Sequence, residues 1–403
     1  MKAFGNPFSE WNRNFTLLAV AAFSVGIFFG VQMTLYNNFI VERLQIEPHE
    51  LGSVEALREV PGFLNALFIA LVIHIAPPLV GGAALIVMGL GIMAYAKLSS
   101  IYMLAFFSLI WSLGFHCWAP LENTMGLTFS PAGEKGKWLG QLRSVHSIAW
   151  LLAIGACMAL FPLLNYEGLF VLAGLATILG GVALFFTQRK KPTFREKGLV
   201  IKRRYSIFYA LQFLQGCRKQ MFITFAFFAL VKVHGMPVGT AMKLAMINQV
   251  FIFLTGPLMG RLVDRYGERR MLSLSYIGLA IVFLGYATVQ HRTTLYVLFC
   301  IDNMIFFGGI ALTTYVNKIA PEEDLKPTLA MGVTMNHVSS VAAPLVGGVI
   351  WHFFGYQIIF FSGAVLALIS LAVTQWVNPE GLLAREELER GGGTAPISPQ
   401  AAS

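Results

Sequence analysis

Long apolar runs separated by short polar stretches are the dominant pattern of this chain. A helix that crosses a membrane needs about 20 apolar residues, and twelve segments have this character. The pattern therefore predicts an all-α polytopic membrane protein with twelve transmembrane helices. The predicted segments are 15–40, 51–75, 78–96, 101–126, 139–162, 167–187, 206–231, 239–261, 271–289, 294–316, 328–351 and 356–377.

The widest polar gap, QRKKPTFREKGLVIKRRY at 188–205, divides the predicted helices into two sets of six. We expect a six-helix bundle at 1–187, a basic cytoplasmic linker at 188–205 and a second six-helix bundle at 206–377. The tail at 378–403 is predicted to be a short amphipathic piece followed by disorder, because it is polar and rich in Gly, Pro and Ser.

Composition agrees with the apolar pattern and excludes several classes of protein. The 403 residues are 56% hydrophobic and only 12% charged, whereas soluble domains carry about 25% charged residues. The four cysteines have no CxxC spacing, so neither a disulfide framework nor a zinc knuckle is indicated. The chain has no HExxH motif, no Ser/His/Asp arrangement and no ATP-binding loop, so we expect neither an enzyme nor a cofactor.

Positive charge follows the predicted topology and does not indicate nucleic-acid binding. The net charge is +9, and 21 of the 29 Lys and Arg residues fall on the side that holds both termini, against four on the other side. Cytoplasmic loops carry this excess in membrane proteins. The bias predicts cytoplasmic termini and a location in the cell (inner) membrane.

The two predicted halves resemble each other. The stretch SPAGEKGKWLGQLRSVHS leads into the fifth segment, and APEEDLKPTLAMGVTMNHVSS leads into the eleventh. Pro131 precedes His146 by 15 positions, and Pro321 precedes His337 by 16. Such a repeat is expected where two six-helix bundles rock about a central binding site.

The loop after the eighth segment reads GPLMGRLVDRYGERR, at 256–270. It resembles the G-x-x-x-D-R-x-G-R-R signature of the major facilitator superfamily. The resemblance implies the fold of that family, with pseudo-symmetric halves, and secondary transport of a small molecule by alternating access. It also implies a conformational latch at this loop; the other reading is a basic turn that only sets topology. The residues that match are Gly260, Asp264, Arg265, Gly267, Arg269 and Arg270.

The corresponding loop after the second segment, 71–83, lacks the Gly, Asp and Arg of the signature. A latch is therefore expected in one half only, and symport, antiport and uniport stay open.

Charges inside the predicted helices carry the functional prediction. Arg218 and Lys219 lie near the middle of the seventh segment, where an Arg costs roughly 2.5–3.5 kcal/mol even on the most lenient scale. We therefore expect this segment to line an aqueous path. Arg58 and Lys243 raise the buried cations to four, against three deep acids, Glu55, Glu59 and Asp302. This excess favours an anionic or zwitterionic solute.

Roles follow from these positions. Asp302 is the expected partner of Arg218 or a proton-coupling carboxylate. Glu55, Arg58 and Glu59 share one helical face, and for them a gate or proton relay and a local salt-bridge cluster are both open. For His146 and His337, packing is the other reading. The predicted substrate-binding residues are Gln32, Arg218, Lys219, Asn248, Asn303, Asn336 and His337. The predicted coupling or gating residues are Glu55, Arg58, Glu59, Arg143, His146 and Asp302.

Two other functions are considered. A divalent-metal carrier (Fe, Zn or Co) of the same fold would use Cys217 and His337 with Asp302 nearby, although Arg218 and Lys219 would repel a cation. A transport-inactive receptor or scaffold would have lost its buried charges. The expected partners are a small-molecule substrate, a coupling proton or sodium ion and the lipid bilayer, with no nucleic acid and a monomeric state.

Overall fold

The computed structural model describes residues 10–378, except 73, 132, 190–200 and 306–307. Helices and the short turns between them account for these ranges, with no strand among them, so the predicted all-α class is confirmed. The predicted tail and most of the predicted linker lie outside the described residues. The helices are α1 (Arg13–Glu42), α2 (Pro48–Phe63), α3 (Asn65–Val72), α4 (Pro77–Met93), α5 (Ile101–Phe129), α6 (Lys135–Leu184), α7 (Ser206–Met221), α8 (Phe227–Lys232), α9 (Val238–Tyr266), α10 (Glu268–Thr288), α11 (Arg292–Ile305), α12 (Gly308–Ile319), α13 (Glu322–Phe354) and α14 (Tyr356–Thr374).

In the described part of the chain, eight helical stretches are long and apolar enough to cross a membrane. One of them is α6, which covers the fifth and sixth predicted segments. These two segments meet without a loop at a kink, where Asn165 has a non-helical backbone conformation with φ of 55°. The second, seventh and eighth predicted segments are helical as well, in the form of α2 with α3, α7 with α8, and α9. The twelve predicted segments therefore agree with the helices observed.

Two of the predicted helices are interrupted, which the apolar pattern did not reveal. The second one breaks at Leu64, three residues after a proline inside the helix, Pro61. The seventh passes through a π-helical turn at Phe222–Ala226. Such turns often lie at functional sites, and this one starts three residues after Lys219.

The two halves meet closely at one end of the bundle, which we call the Glu47 end. A Cβ added to Gly52 would overlap the carbonyl oxygen of Pro344, so the backbones of α2 and α13 touch. Beside this contact, Lys232 Nζ lies 2.9 Å from Glu47 Oε1 and 3.0 Å from the carbonyl oxygen of Ile46. The glycine contact and the ion pair together close this end.

The opposite end, which carries the signature loop, is called the Asp264 end, and it exposes apolar side chains. Leu67 and Leu71 on α3 are 59% and 69% exposed, and Leu254 on α9 is 63% exposed. A Cβ on Gly136 or Gly140, at the start of α6, would meet nothing within 4 Å. The backbone contact between the two halves thus closes the centre at the Glu47 end.

We predict that Gly52→Val disturbs the closed end, because two backbones occupy the space that the new side chain needs. Overpacking of this kind costs about 1–3 kcal/mol. The melting temperature of the purified protein should fall. Gly239→Val is the matched control, since a Cβ there meets nothing within 4 Å. Equal melting temperatures for the two variants would contradict this account of the closed end.

Candidate functional site

The charged face of α2 forms the first part of the centre. Glu55 and Arg58 pair within the helix, with Arg58 Nη1 2.9 Å from Glu55 Oε1, and both side chains are buried. The Arg58 guanidinium lies 5.4 Å from the centre of the Trp111 ring, a cation–π contact. The backbone carbonyl of Arg58 accepts a hydrogen bond from the hydroxyl of Ser112. On the helical face predicted from the sequence, Glu55 and Arg58 thus form a tightly held ion pair with no net charge.

A cleft opens beside this pair and is lined by polar side chains of both halves. Gln32 and Asn37 of α1, Glu55 and Arg58 of α2, and Thr224 of the π-helical turn contribute to it. Gln32 is fully buried, and neither atom of its amide has a hydrogen-bond partner among the described residues. A buried amide without hydrogen-bond partners lowers the stability of the protein. Gln32 is therefore available to bind a polar group of a solute.

Arg218 and Asp302 form the second buried ion pair. Arg218 Nη1 lies 3.2 Å from Asp302 Oδ1, and each side chain is 3% exposed. The pair joins α7 to α11 inside the second half, as the sequence led us to expect. It neutralises the charge of Arg218 and commits Asp302 to a structural contact in this conformation.

Lys219 differs from its neighbour. It points about 100° away around the helix, and no hydrogen bond or ion pair within 4.0 Å joins it to a described side chain. It interacts over a longer distance with the carboxylate of Glu59 and with Arg58. Lys219 is therefore a central cation that retains its hydrogen-bond donors for another group.

Glu59 connects the two halves. His337 Nδ1 of α13 lies 3.1 Å from Glu59 Oε2 of α2. The ring of His116, from α5, stands 5.2 Å from the His337 ring. Three helices thus bring one carboxylate and two imidazoles together at the centre of the molecule, where candidate ligand atoms of all three residues lie within 4.8 Å of one another.

Three other predicted polar residues form no ion pair among the described residues. Asn336 Nδ2 donates to the carbonyl of Gln212 at 3.4 Å, and Asn303 Nδ2 donates to the carbonyl of Phe299 at 2.9 Å. Asn248 Oδ1 is buried without a hydrogen-bond partner among the described residues. All three remain candidates for contact with a solute.

Arg143 and His146 lie apart from the central charges. Arg143 is exposed on α6. His146 packs its ring against Phe29 and Trp150, with centroids 6.2 and 5.8 Å away. These contacts favour the packing alternative for His146.

Lys243 changes the charge count that the sequence suggested. It is exposed on the second turn of α9 and forms no part of the buried centre. A long Lys side chain near a helix end can reach the membrane surface. Among the described residues, the cations at the centre are therefore three, Arg58, Arg218 and Lys219, and they equal the three acids at the centre, Glu55, Glu59 and Asp302. An overall excess of positive charge therefore does not support an anionic solute, and support must come from how the charges pair.

The signature loop joins α9 to α10 through Gly267, whose φ of +80° favours glycine. Arg269 donates to Gln375 Oε1 of α14 at 3.2 Å. Among the described residues, Asp264 has no hydrogen bond or ion pair, and it is exposed. The loop is thus anchored through Arg269, while the Asp that would act as a latch is not engaged in this conformation.

Some residues with buried or charged contacts were not predicted from the sequence. His116 stands alone in an apolar stretch, and its position in the middle of the fourth predicted helix was the only signal for it. Glu268 adjoins the signature Gly267 but is buried, and its carboxylate lies 2.7 Å from Lys318 Nζ. Lys202 and Tyr205 both bind Asp324 near the end of the linker, and these two hydrogen bonds hold the pKa of Asp324 below its usual range.

A helical membrane bundle in two halves, with buried charges between them, is the architecture of a secondary transporter. A family model described as Major Facilitator Superfamily matches residues 18–323 and, in an overlapping match, 208–400. The chain belongs to the major facilitator superfamily and is an integral membrane protein of the transporter class.

Relatives with curated descriptions match over shorter stretches. A multi-drug resistance efflux pump PmrA homolog of Lactococcus lactis is 27% identical over 146 residues, which are 35% of this chain and 34% of that protein. An uncharacterised MFS-type transporter of Bacillus subtilis is 23% identical over 158 residues, 38% of this chain and 37% of that one. The chain thus spans about a third of the length of the curated relatives it matches.

Solved structures resemble this one over most of its length. A mutant form of the nucleoside transporter NupG gives a TM-score of 0.77 at 14% identity, covering 90% of this chain and 99% of that one. A bacterial homolog of the human lysosomal transporter Spinster, inward-facing and unoccupied, gives 0.71 at 13% identity, with 92% and 97% covered. At such identity the likeness is one of fold alone.

We predict that Asp302→Asn destabilises the protein strongly, since it removes the carboxylate charge that Arg218 binds in the interior. Breaking a buried pair costs about 3–5 kcal/mol. The double variant Arg218→Gln with Asp302→Asn removes both charges and should recover much of the lost melting temperature. If the single variant melts like the native protein, Asp302 is not the residue that neutralises Arg218.

Proposed function

We propose that this protein is a secondary active transporter that moves a small anionic or zwitterionic solute by alternating access, with Lys219 binding the anionic group. One observation carries the proposal: Lys219 is the central cation without a close partner among the described residues. Arg58 pairs with Glu55 and Arg218 pairs with Asp302, so neither is as free to bind a solute. An ammonium in a site of low dielectric attracts an anion more strongly than it would in water.

Two groups of the centre, the carboxylate of Glu59 and the amide of Gln32, favour a zwitterion or a polar anion over an apolar drug. Glu59 interacts electrostatically with Lys219 and offers a counter-charge for an ammonium group. Gln32 contributes a buried amide with no partner among the described residues. A solute with one acidic group and one polar or basic group would satisfy both.

Alternating access is supported by the unequal ends of the bundle. The Glu47 end is closed by the glycine contact of α2 with α13 and by the pair of Lys232 with Glu47. The described hydrogen bonds and ion pairs between the halves lie at this end and at the centre. If the positive-inside bias sets the orientation, this conformation faces the cytoplasm. The termini would then be cytoplasmic, in the cell (inner) membrane.

Transport would be driven by an ion or solute gradient. The chain carries no ATP-binding loop, so a proton or a sodium ion is the coupling ion we propose. Glu59 is the carboxylate best placed for coupling, because it contacts both halves through His337. This assignment departs from the sequence-based choice of Asp302, which Arg218 binds directly.

The metal carrier suggested by Cys217, His337 and Asp302 receives less support in that form. Asp302 is occupied by Arg218, and His337 turns towards Glu59. The names of the relatives and structural neighbours include drug efflux and nucleoside transport. Neither activity is transferred to this chain, because the identities are low and the curated matches are partial.

The proposal predicts that Lys219→Met abolishes solute binding and preserves the fold. Purified protein would be melted with a panel of carboxylates, amino acids, organic phosphates, sugars and nucleosides. A solute at 100 times its Kd stabilises the native protein by about 2.7 kcal/mol. We expect such a shift from an acidic or zwitterionic member, and we expect it to disappear in Lys219→Met.

Lys243→Met is the matched control, because Lys243 is exposed and outside the centre. It should keep the full shift. Stabilisation by sugars or nucleosides alone, unchanged in Lys219→Met, would contradict the proposed solute class.

A further inference from the structure

The cluster of Glu59, His116 and His337 has a composition beyond what an anion site needs. Two imidazoles and one carboxylate are a common donor set for divalent transition metals. The residues come from α2, α5 and α13, so the first half contributes two and the second half contributes one. We propose that Glu59, His116 and His337 form a binding site for a divalent transition-metal ion, of the Zn²⁺ or Co²⁺ class, that joins the two halves.

His116 is already oriented as a metal ligand would be. Its Nδ1 lies 2.9 Å from the backbone carbonyl oxygen of Ser112. A carbonyl only accepts hydrogen bonds, so Nδ1 carries the proton and Nε2 keeps a free lone pair. Metal-binding histidines usually donate their second nitrogen to a carbonyl or carboxylate in this way, which fixes the tautomer and the ring.

The three side chains converge on a space that a glycine leaves open. A Cβ on Gly62 would lie 2.5 Å from His116 Nε2 and 2.6 Å from His337 Cε1. Both rings therefore pack over the same point of α2, just before its break at Leu64. Any larger residue at position 62 would push them apart.

The distances require only a small adjustment. The candidate ligand atoms lie within 4.8 Å of one another, and Glu59 Oε2 is already 3.1 Å from His337 Nδ1. With metal–ligand bonds of about 2.0–2.2 Å, ligand atoms in a tetrahedral site stand roughly 3.4 Å apart. Rotation of the imidazoles closes the widest gap, and a water or an anion completes the coordination.

The positive charge of Lys219 weakens metal binding at this site, which gives the proposal a specific test. Its ammonium lies near enough to Glu59 to interact with it, so it also repels a divalent cation at that carboxylate. The Glu55 carboxylate already neutralises Arg58. Removing the Lys219 charge should therefore tighten metal binding, whereas a purely structural cluster would be indifferent to it. This inference does not depend on the solute that the protein carries.

The experiment uses full-length protein in detergent, with its affinity tag removed and with no solute added. Zn²⁺ and Co²⁺ are the probes and Mg²⁺ is the comparison. Bound metal per chain, the melting temperature and the visible spectrum of bound Co²⁺ would be recorded. We expect about one Zn²⁺ or Co²⁺ per chain, a raised melting temperature and no comparable effect of Mg²⁺.

His116→Ala is the principal variant, because His116 takes no part in the bond between Glu59 and His337. It should weaken Zn²⁺ binding at least about tenfold, as should Gly62→Val, which fills the space between the rings. Glu59→Gln and His337→Ala should weaken it too. Lys219→Met should bind more tightly than the native protein.

Two histidine variants serve as controls. His291→Ala removes an exposed histidine beside α11 and should leave binding unchanged. His352→Ala tests the other pair of neighbouring imidazoles, since the rings of His49 and His352 stand 4.5 Å apart at the Glu47 end. Absence of Zn²⁺ and Co²⁺ binding, full binding in His116→Ala, or loss confined to His352→Ala would each overturn the proposal, as would weaker binding in Lys219→Met.

Discussion

The rest of this structure depends on the cost of placing charge between helices that water scarcely reaches. An ion taken from water into the interior loses several kcal/mol of solvation, and only a close partner of opposite charge offsets that loss. The centre obeys this constraint through pairs: Glu55 with Arg58 inside one helix, and Arg218 with Asp302 between two helices. Each pair lies within a single half of the molecule, so each half can move without separating its own charges.

The contacts between the halves are of another kind. At the Glu47 end they include backbone against backbone at Gly52, a hydrogen bond from Asn38 Nδ2 to the carbonyl of Met236 at 2.9 Å, the neighbouring rings of His49 and His352, and one ion pair that is partly exposed to solvent. Exposed pairs contribute little to stability. At the centre the halves share only one described charged contact, between Glu59 and His337. The two buried ion pairs thus lie inside the halves and not between them, which agrees with the rocking about a central site that we propose.

The fold and part of the site could be predicted from the sequence. Apolar runs located the helices because the membrane demands a fixed length of apolar helix. The Arg218–Asp302 pair followed from elimination, since few acids lay deep enough to neutralise a central arginine. The sequence could not show that Lys243 is exposed, because exposure depends on which helices pack beside it. Nor could it show that His116 meets His337, because 221 positions separate them and only the packing of α5 and α13 around α2 brings them together. The apolar pattern also did not show the break at Leu64 or the π-helical turn.

Glu59 is where these constraints meet. It is the one buried acid of the centre whose described contacts reach the other half, through a hydrogen bond to His337 and a longer-range attraction to Lys219. In the transport cycle that we propose, separation of the halves at the Glu47 end would change the contact of α2 with α13, and Glu59 would exchange His337 for another partner. Lys219, a proton, a metal ion or the basic group of a solute could each take that place. A group whose binding compensates the charge of Glu59 would lower the cost of the rearrangement, and binding would thereby be coupled to movement of the halves. The same residue that is costly to bury is thus the natural point at which a ligand can control the conformation.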